Sequence, residues 1–254
     1  PLSQQAVLDP RVQVHRQFGW GRWHVGVGKY HQSPPFDQPE LNNFASSDQV
    51  STGFEWQIAE QMLLGGDIWG KQVSDKWYVE PNGQTLLVGE EAVGGELYFA
   101  GRWERFDGRV GISSVNSRLL YQEETYTSPF SQPFFVNAMV GWRSDVWTLG
   151  ARYRISSGLP ISEPVGAILD ATQDLYQPQW SMFPNGQMPV YQKIDLQIAR
   201  VWQLRNSVLK AYCEAWAVPS SGNYLYPIYN YDYTESQLVV GPAFVPLIGG
   251  SWER

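Results

Sequence analysis

The sequence has few of the residues on which metal binding, redox chemistry and disulfide formation depend. Its 254 residues include one cysteine, Cys213, and three histidines, His15, His24 and His31. One cysteine cannot form an internal disulfide, and no cysteine or histidine spacing matches a metal site. A barrel lipase or acyltransferase would need a serine paired with a histidine, and the pattern pairs no serine with His24. We therefore expect no cofactor, no metal site and no enzymatic activity.

Charge and long hydrophobic runs are also scarce. Charged residues make up 17% of the chain and the net charge is −7, whereas soluble domains average about 25% charged residues. The acidic balance, without a basic run, argues against nucleic acid as a partner. The mean hydropathy is −0.33 and no run of about 18 apolar residues occurs, which excludes a helical membrane protein. Pro1–Gln5 lacks the charged and apolar regions of a signal peptide, so either such a peptide was removed or the chain is a fragment.

Aromatic residues are abundant, at 15% of the chain with 12 Trp and 14 Tyr, and such an excess is typical of interfacial belts at a membrane. Two neighbouring segments, Phe134–Arg143 and Trp147–Ser156, each alternate apolar and polar residues over ten positions. A two-residue period indicates a β-strand with one apolar and one polar face. Ten residues is nearly twice the usual strand length, but it suits a strand that crosses a bilayer at a tilt.

The connections between strand segments alternate in length. Short ones lie at 19–21, 59–61, 105–108, 144–146 and 203–207, and long ones at 32–47, 79–90, 122–132, 158–190 and 219–245. We count about eleven strands, and a twelfth inside Tyr224–Tyr233 would make the number even, as in single-chain bacterial barrels. This layout predicts an all-β, antiparallel transmembrane β-barrel of about 12 strands, or half of a larger barrel, with short periplasmic turns and long extracellular loops. We expect one domain over residues 1–254, without a plug, in the bacterial outer membrane.

The alternation also predicts which side chains face the lumen. Charges opposite the apolar face should point inward, because an Arg or Lys facing mid-bilayer lipid costs about 2–4 kcal/mol. The lumen-facing candidates are Arg102, Glu104, Arg143, Arg152, Arg154, Asp195, Lys210 and Glu214. The two arginines 152 and 154 would either select anions or pair with Asp195 or Glu214 on neighbouring strands. The candidates for an extracellular ligand or partner site are Tyr224, Tyr226, Tyr229, Tyr231 and Tyr233, for which an aromatic girdle or loop packing is the alternative.

Six segments, in chain order, resemble the C-terminal half of the barrel of TonB-dependent outer-membrane receptors. They are Leu8-Asp9-Pro10-Arg11, Gly28-Lys29-Tyr30-His31-Gln32, Gly158-Leu159-Pro160-Ile161, Pro189–Leu196, Tyr229–Thr234 and Pro246–Glu253. Whole receptors of this family have about 22 strands around a plugged lumen. The plug and its TonB box have no counterpart here, and the final Trp252-Glu253-Arg254 differs from the family's aromatic end. The resemblance therefore implies about half of such a barrel.

Three functions follow as alternatives. The first is a plugless pore or transport component, or a subunit of a cell-envelope complex, similar to a TonB-dependent receptor. The second is the C-terminal half of a split transporter that another chain completes. The third is a soluble, Trp-rich, glycan-binding β-domain. For the first two we expect outer-membrane lipid or lipopolysaccharide and companion chains as partners; a lone barrel would have to pair Arg11–Phe18 with Pro246–Arg254, because lipid does not tolerate open strand edges.

Overall fold

A computed structural model describes residues 7–33, 44–216, 223–242 and 244–253. These residues form strands and connecting turns; no helix among them is long and apolar enough to cross a membrane. The strands are β1 (Arg11–Phe18), β2 (Gly21–Gln32), β3 (Ala45–Ala59), β4 (Met62–Val79), β5 (Thr85–Trp103), β6 (Phe106–Tyr121), β7 (Glu124–Thr127), β8 (Gln132–Arg143), β9 (Trp147–Ser156), β10 (Pro160–Ile161), β11 (Pro164–Asp170), β12 (Leu175–Trp180), β13 (Gly186–Gln187), β14 (Tyr191–Leu204), β15 (Ser207–Trp216), β16 (Tyr224–Tyr229), β17 (Ser236–Val240) and β18 (Val245–Glu253).

One large antiparallel sheet dominates the fold, which confirms the all-β prediction. Its strands follow the order β1-β2-β3-β4-β5-β6-β8-β9-β14-β15-β18, and the short β7 pairs with β6 beside this path. The sheet is open, because β1 and β18 are its two edges and are not paired with each other. The pairing of Arg11–Phe18 with the last strand, which a lone closed barrel would require, is therefore not formed.

The register between strands explains why the sheet has two different faces. In the β8–β9 hairpin, Val140 lies opposite Ala151 and Trp142 opposite Leu149, whereas Asn137 lies opposite Arg154. Because side chains alternate along each strand, this register gathers apolar residues on one side and polar residues on the other. We call these sides the apolar face, which carries Trp23, Phe54, Leu97, Val140 and Ile198, and the polar face, which carries Arg22, Glu55, Tyr98, Arg152 and Asp195.

The apolar face is exposed over its whole extent. Ile248 is 85% exposed, Trp252 67% and Ile68 64%, and many of its other large side chains are more than one-third exposed. Soluble monomers rarely expose a continuous apolar patch of more than a few hundred Å². The apolar side of this sheet is therefore a surface that needs a nonaqueous neighbour.

Five short turns lie at one end of the sheet, as predicted, and tryptophans gather there on the apolar face. The strands meet at residues 19–20, 60–61, 104–105, 144–146 and 205–206. The tryptophans of the apolar face at this end are Trp56, Trp103, Trp142, Trp147, Trp202 and Trp252. Trp20, in the first turn, stacks on Phe18 with ring centroids 4.9 Å apart.

At the other end, two sequence predictions are wrong. Residues 79–90 are not a long loop: β4 and β5 continue to a turn at 80–84, where Gly83 has a φ of 87° that suits glycine. The tyrosine-rich segment does not add a twelfth strand to the sheet, because β16 pairs with β17 in a separate hairpin. Residues 34–43, in the predicted loop 32–47, and residues 217–222, which include the start of the predicted loop 219–245, lie outside the described residues.

The connection between β9 and β14, residues 157–190, folds back onto the long strands β4 to β6. Its Phe183 is 3% exposed and packs with Val88 and Leu119, and Tyr78, Tyr121 and Tyr126 surround this cluster. The ring of Phe183 stacks on Tyr126 with centroids 4.1 Å apart. Nearby, the hydroxyl of Tyr78 donates a hydrogen bond to the carbonyl oxygen of Met182 at 2.9 Å. This apolar cluster fixes the connection on the sheet.

Candidate functional site on the polar face

The polar face carries seven of the eight charged residues predicted to face the lumen. Arg102 belongs to β5, Arg143 to β8, Arg152 and Arg154 to β9, Asp195 to β14, and Lys210 and Glu214 to β15, and the register places all of them on this face. Glu104 differs, because it lies in the turn between β5 and β6 with a φ of 52°. It occupies a turn position and no strand face.

Five of these residues line one cleft of about 570 Å³ on the C-terminal half of the sheet: Arg143, Arg152, Arg154, Asp195 and Glu214. Asp107, Lys193, Gln197 and Trp216 also line it. Arg102 and Lys210 are not among its lining residues. The cleft thus combines four cations and three carboxylates with an indole, in a lining of mixed charge that suits a polar solute.

The carboxylates of this cleft have partners. Asp195 Oδ1 lies 3.0 Å from Lys193 Nζ, and Glu214 accepts hydrogen bonds from Gln197 Nε2 at 2.8 Å and from the indole of Trp216 at 3.0 Å. Asp107 Oδ1 lies 3.4 Å from the guanidinium nitrogen Nη2 of Arg143. These contacts hold the acidic side chains in place across four strands.

The two arginines of β9 lie in different environments. Arg152 Nε donates a hydrogen bond to the amide oxygen of Asn137 at 3.1 Å. Arg154 Nε is buried and has no hydrogen-bond partner. Because burying an unpaired donor is costly, this N–H is an unsatisfied polar group in the wall of the cleft.

A second polar network, which the sequence analysis did not identify, crosses the N-terminal half of the sheet. Arg22 on β2 forms a two-bond ion pair with Glu55 on β3, with N–O distances of 2.7 and 3.0 Å. The hydroxyl of Tyr98 on β5 donates to the same carboxylate at 3.0 Å, and the guanidinium of Arg109 lies 4.6 Å from the Tyr98 ring centroid. Tyr98 reaches across β4 because Gly65 leaves room, since a Cβ there would lie 2.4 Å from the ring.

His24 and Asp67 form a similar bridge across β3. His24 Nε2 lies 3.0 Å from Asp67 Oδ1, directly over Gly53, where a Cβ would lie 2.0 Å from the carboxylate oxygen. His15 is near, with its ring centroid 6.3 Å from that of His24. Among the described residues, no group of three or more His, Cys, Asp or Glu side chains is arranged to hold a metal ion.

Glu90 is the most deeply buried charge of the polar face, at 2% exposure. Its carboxylate contacts Lys76 Nζ at 2.8 Å and Lys71 Nζ at 3.3 Å, and it accepts a hydrogen bond from the hydroxyl of Ser117 at 2.6 Å. Such a group requires charge partners and hydrogen bonds to remain ionised when buried. The cluster therefore locks β4, β5 and β6 together just below the Phe183 cluster.

The tyrosine candidates lie in the β16–β17 hairpin, where Tyr224, Tyr226 and Tyr229 belong to β16 and Tyr231 and Tyr233 to the turn that follows. Two of them contact the β11–β12 hairpin: Tyr229 meets Trp180 edge-on at 5.7 Å, and the Tyr231 hydroxyl donates to the carbonyl oxygen of Asp174. Burial, with the nearby Glu163 carboxylate, raises the pKa of Tyr229. Packing thus accounts for Tyr229 and Tyr231, while Tyr226 is 55% exposed.

No family model matches the sequence, and no curated protein matches it. Among solved structures, the fold is similar to "The FrpB iron transporter from Neisseria meningitidis (F3-3 variant)", with a TM-score of 0.61 and 13% sequence identity. The match covers 96% of this chain and 39% of that chain. At this identity the likeness is one of fold. It shows that the fold of this chain resembles part of that transporter's chain.

Proposed function

We propose that this chain forms part of the wall of an outer-membrane β-barrel of the TonB-dependent receptor kind, and that its polar face lines a path for a solute. The observation that carries the proposal is the division of the sheet into a continuous, exposed apolar face and a polar face with ion pairs and a cleft. In a transmembrane barrel, strands alternate between residues facing lipid and residues facing an aqueous lumen. The tryptophans at the short-turn end suit the headgroup level of a membrane.

The open edges support completion of the barrel by other strands. The eleven strands of the main path are all antiparallel to their neighbours, so β1 and β18 run in the same direction. Antiparallel pairing at both edges therefore requires an odd number of further strands. A second copy in the same membrane orientation would meet these edges in parallel, and an inverted copy would place its long connections on the wrong side of the membrane. Strands of different sequence, in the same polypeptide or in another, fit both edges.

Directed labelling tests the transport role. Outer-membrane vesicles from cells that express the chain contain whatever completes the barrel. In a Cys213→Ala background, Gln197→Cys places a thiol in the cleft of the polar face, and Ile198→Cys places one on the apolar face, one residue further along β14. We expect a bulky, water-soluble maleimide to modify the first thiol quickly and to slow the efflux of a small polar solute. The second thiol should react only with a lipid-soluble maleimide.

Two outcomes would contradict the proposal. One is equal reactivity of both thiols toward the water-soluble reagent, which a soluble glycan-binding domain would give. The other is solute efflux that does not change when the Gln197→Cys thiol is modified, which would leave a membrane-embedded sheet without a role in conduction.

A further inference from the structure

Arg200 is a cation on the apolar face of the sheet. It is exposed in β14, where its cross-strand neighbours are Trp147 on β9 and Ala211 on β15. The next residues of β14 on the same face are Ile198 and Trp202, both apolar. An arginine on a lipid-facing surface costs about 2–4 kcal/mol at the bilayer midplane and about 0–1 kcal/mol near the interface. Arg200 lies four residues before the end of β14 at the short-turn end, in the row of tryptophans.

Two indoles hold this guanidinium. Its central carbon lies 5.0 Å from the ring centroid of Trp147 and 5.0 Å from that of Trp202. Such contacts leave the N–H groups at the edge of the guanidinium plane free to donate hydrogen bonds. In the described part of the chain, Arg200 belongs to no ion pair. Its charge is therefore available to an anion from outside the protein.

The residues beside Arg200 on the apolar face are small. They are Ala211 on β15 and Gly250 on β18, which lie in register with Arg200 across the sheet. Leu209 and Trp252 flank them on the side of the short turns. Cys213 and Ile248, which are apolar, flank them toward the middle of the strands. A cation next to small residues, with apolar residues toward the membrane interior, matches a phosphate attached to acyl chains.

We propose that Arg200, with Trp147 and Trp202, binds the phosphate of a membrane phospholipid at the short-turn end of the barrel. This inference rests on the proposed membrane location and adds a specific lipid site to it. An arginine can bind phosphate with two parallel N–H groups that match two of its oxygens, and phosphate is the anion that a phospholipid carries beside its acyl chains. The acyl chains of the lipid lie over Cys213 and Ile248.

Native mass spectrometry of the full chain in detergent tests the site. The titrants are phosphatidylglycerol and a diacylglycerol with the same chains but without phosphate. We expect Arg200→Gln to weaken the binding of phosphatidylglycerol about tenfold, the effect of losing one charge-assisted hydrogen-bonding group, and to leave diacylglycerol binding unchanged. Lys210→Gln is the matched control, because Lys210 lies opposite Val201, at nearly the same depth as Arg200 but on the polar face. The Lys210→Gln variant should bind phosphatidylglycerol within about twofold of the original chain, since no phosphate contact is lost.

The inference is overturned if Arg200→Gln binds phosphatidylglycerol as the original chain does, or if Lys210→Gln weakens binding equally. Should Arg200→Gln fail to fold, Arg200→Lys and the original chain decide: equal binding of phosphatidylglycerol and diacylglycerol by the original chain contradicts the site. Competition by inorganic phosphate alone would mark an anion site without lipid specificity and would also overturn it. A nitroxide label on Cys213 distinguishes failure of the lipid site from failure of the proposed function, since the label reports on exposure to the membrane whether or not Arg200 binds phosphate.

Discussion

Replacing Phe183 with alanine should release the connection between β9 and β14 from the sheet. Phe183 is 3% exposed and contacts three tyrosine rings, with centroid distances of 4.1 Å to Tyr126, 5.2 Å to Tyr78 and 5.7 Å to Tyr121. A buried Phe→Ala substitution costs about 3–5 kcal/mol. At about 1.4 kcal/mol per factor of ten, this is a change of roughly 10²- to 10⁴-fold in the equilibrium between docked and released states.

Amide hydrogen exchange reports on this equilibrium, because the hydrogen bonds within the connection lose the support of the sheet when it is released. The amides to follow are those of Ser181, Asn185 and Met188, which donate to backbone carbonyls within the connection. Their protection should fall by roughly the same factor, up to the limit at which the connection is fully released. Leu169→Ala, on β11 in the same connection, is the control, because Leu169 is already 46% exposed. Unchanged protection in Phe183→Ala, or an equal loss in Leu169→Ala, would refute the assignment of Phe183 as the anchor.

Glu90→Gln should lower the free energy of unfolding by about 1–3 kcal/mol in urea titrations of detergent-solubilised protein, because Lys71 and Lys76 lose their carboxylate partner. The control Glu91→Gln, exposed on the other face, should change the free energy of unfolding little. An equal effect of both substitutions would contradict a stabilising role for the Glu90 cluster. Gly65→Ala should lower the free energy of unfolding by about 1–3 kcal/mol, because the new Cβ would displace the Tyr98 ring. Gly70→Ala should be tolerated, because a Cβ there would lie 3.8 Å from its nearest neighbouring atom. The same urea titration compares the two variants. Hydrogen bonds from Thr172 and Thr234 lower the pKa of Asp170 and Asp232 below the ordinary 3.8. The ionised carboxylates therefore stabilise these turns above that pH, and this stabilisation is lost as the pH falls through the lowered pKa. NMR should detect faster opening of the Thr172 and Thr234 amides at the lower pH, and Asn variants of Asp170 and Asp232 that keep the same pH dependence would contradict the assignment.

The strand pattern of the sheet could be predicted because alternation is a local property. In Phe134–Arg143 and Trp147–Ser156, every second residue is apolar, and the short turn at 144–146 brings the two patterns into phase. This is sufficient to place Arg143, Arg152 and Arg154 on one face. The cleft that collects them with Asp195 and Glu214 then follows from the pairing of β9, β14 and β15.

Features that depend on distant contacts could not be predicted in the same way. Residues 79–90 resemble a loop because Pro81, Asn82 and Gly83 favour turns and Glu90 is a charge. Glu90 nevertheless lies inside a strand, because two lysines of β4 compensate its charge. Similarly, alternation places Tyr98 and Glu55 on the polar face, but their hydrogen bond needs a register across β4 and a glycine between them.

The sheet's open edges are a property of the whole fold. Eleven antiparallel strands leave β1 and β18 running in the same direction. Closing this sheet into an all-antiparallel barrel would therefore require an odd number of further strands. Local sequence patterns predict the approximate number of strands, whereas the direction of the edge strands depends on which strands pair.

Nitroxide accessibility in a lipid bilayer tests most directly the central claim that the apolar face lies against lipid and the polar face against water. Cys213 is exposed and lies on the apolar face, so the native chain already carries the first label site. Tyr212→Cys in a Cys213→Ala background supplies the second, one residue earlier on the polar face. We expect a label on Cys213 to collide with oxygen more often than with a water-soluble nickel chelate, and the label at position 212 to show the reverse. Equal and high collision with the nickel chelate at both positions would contradict it.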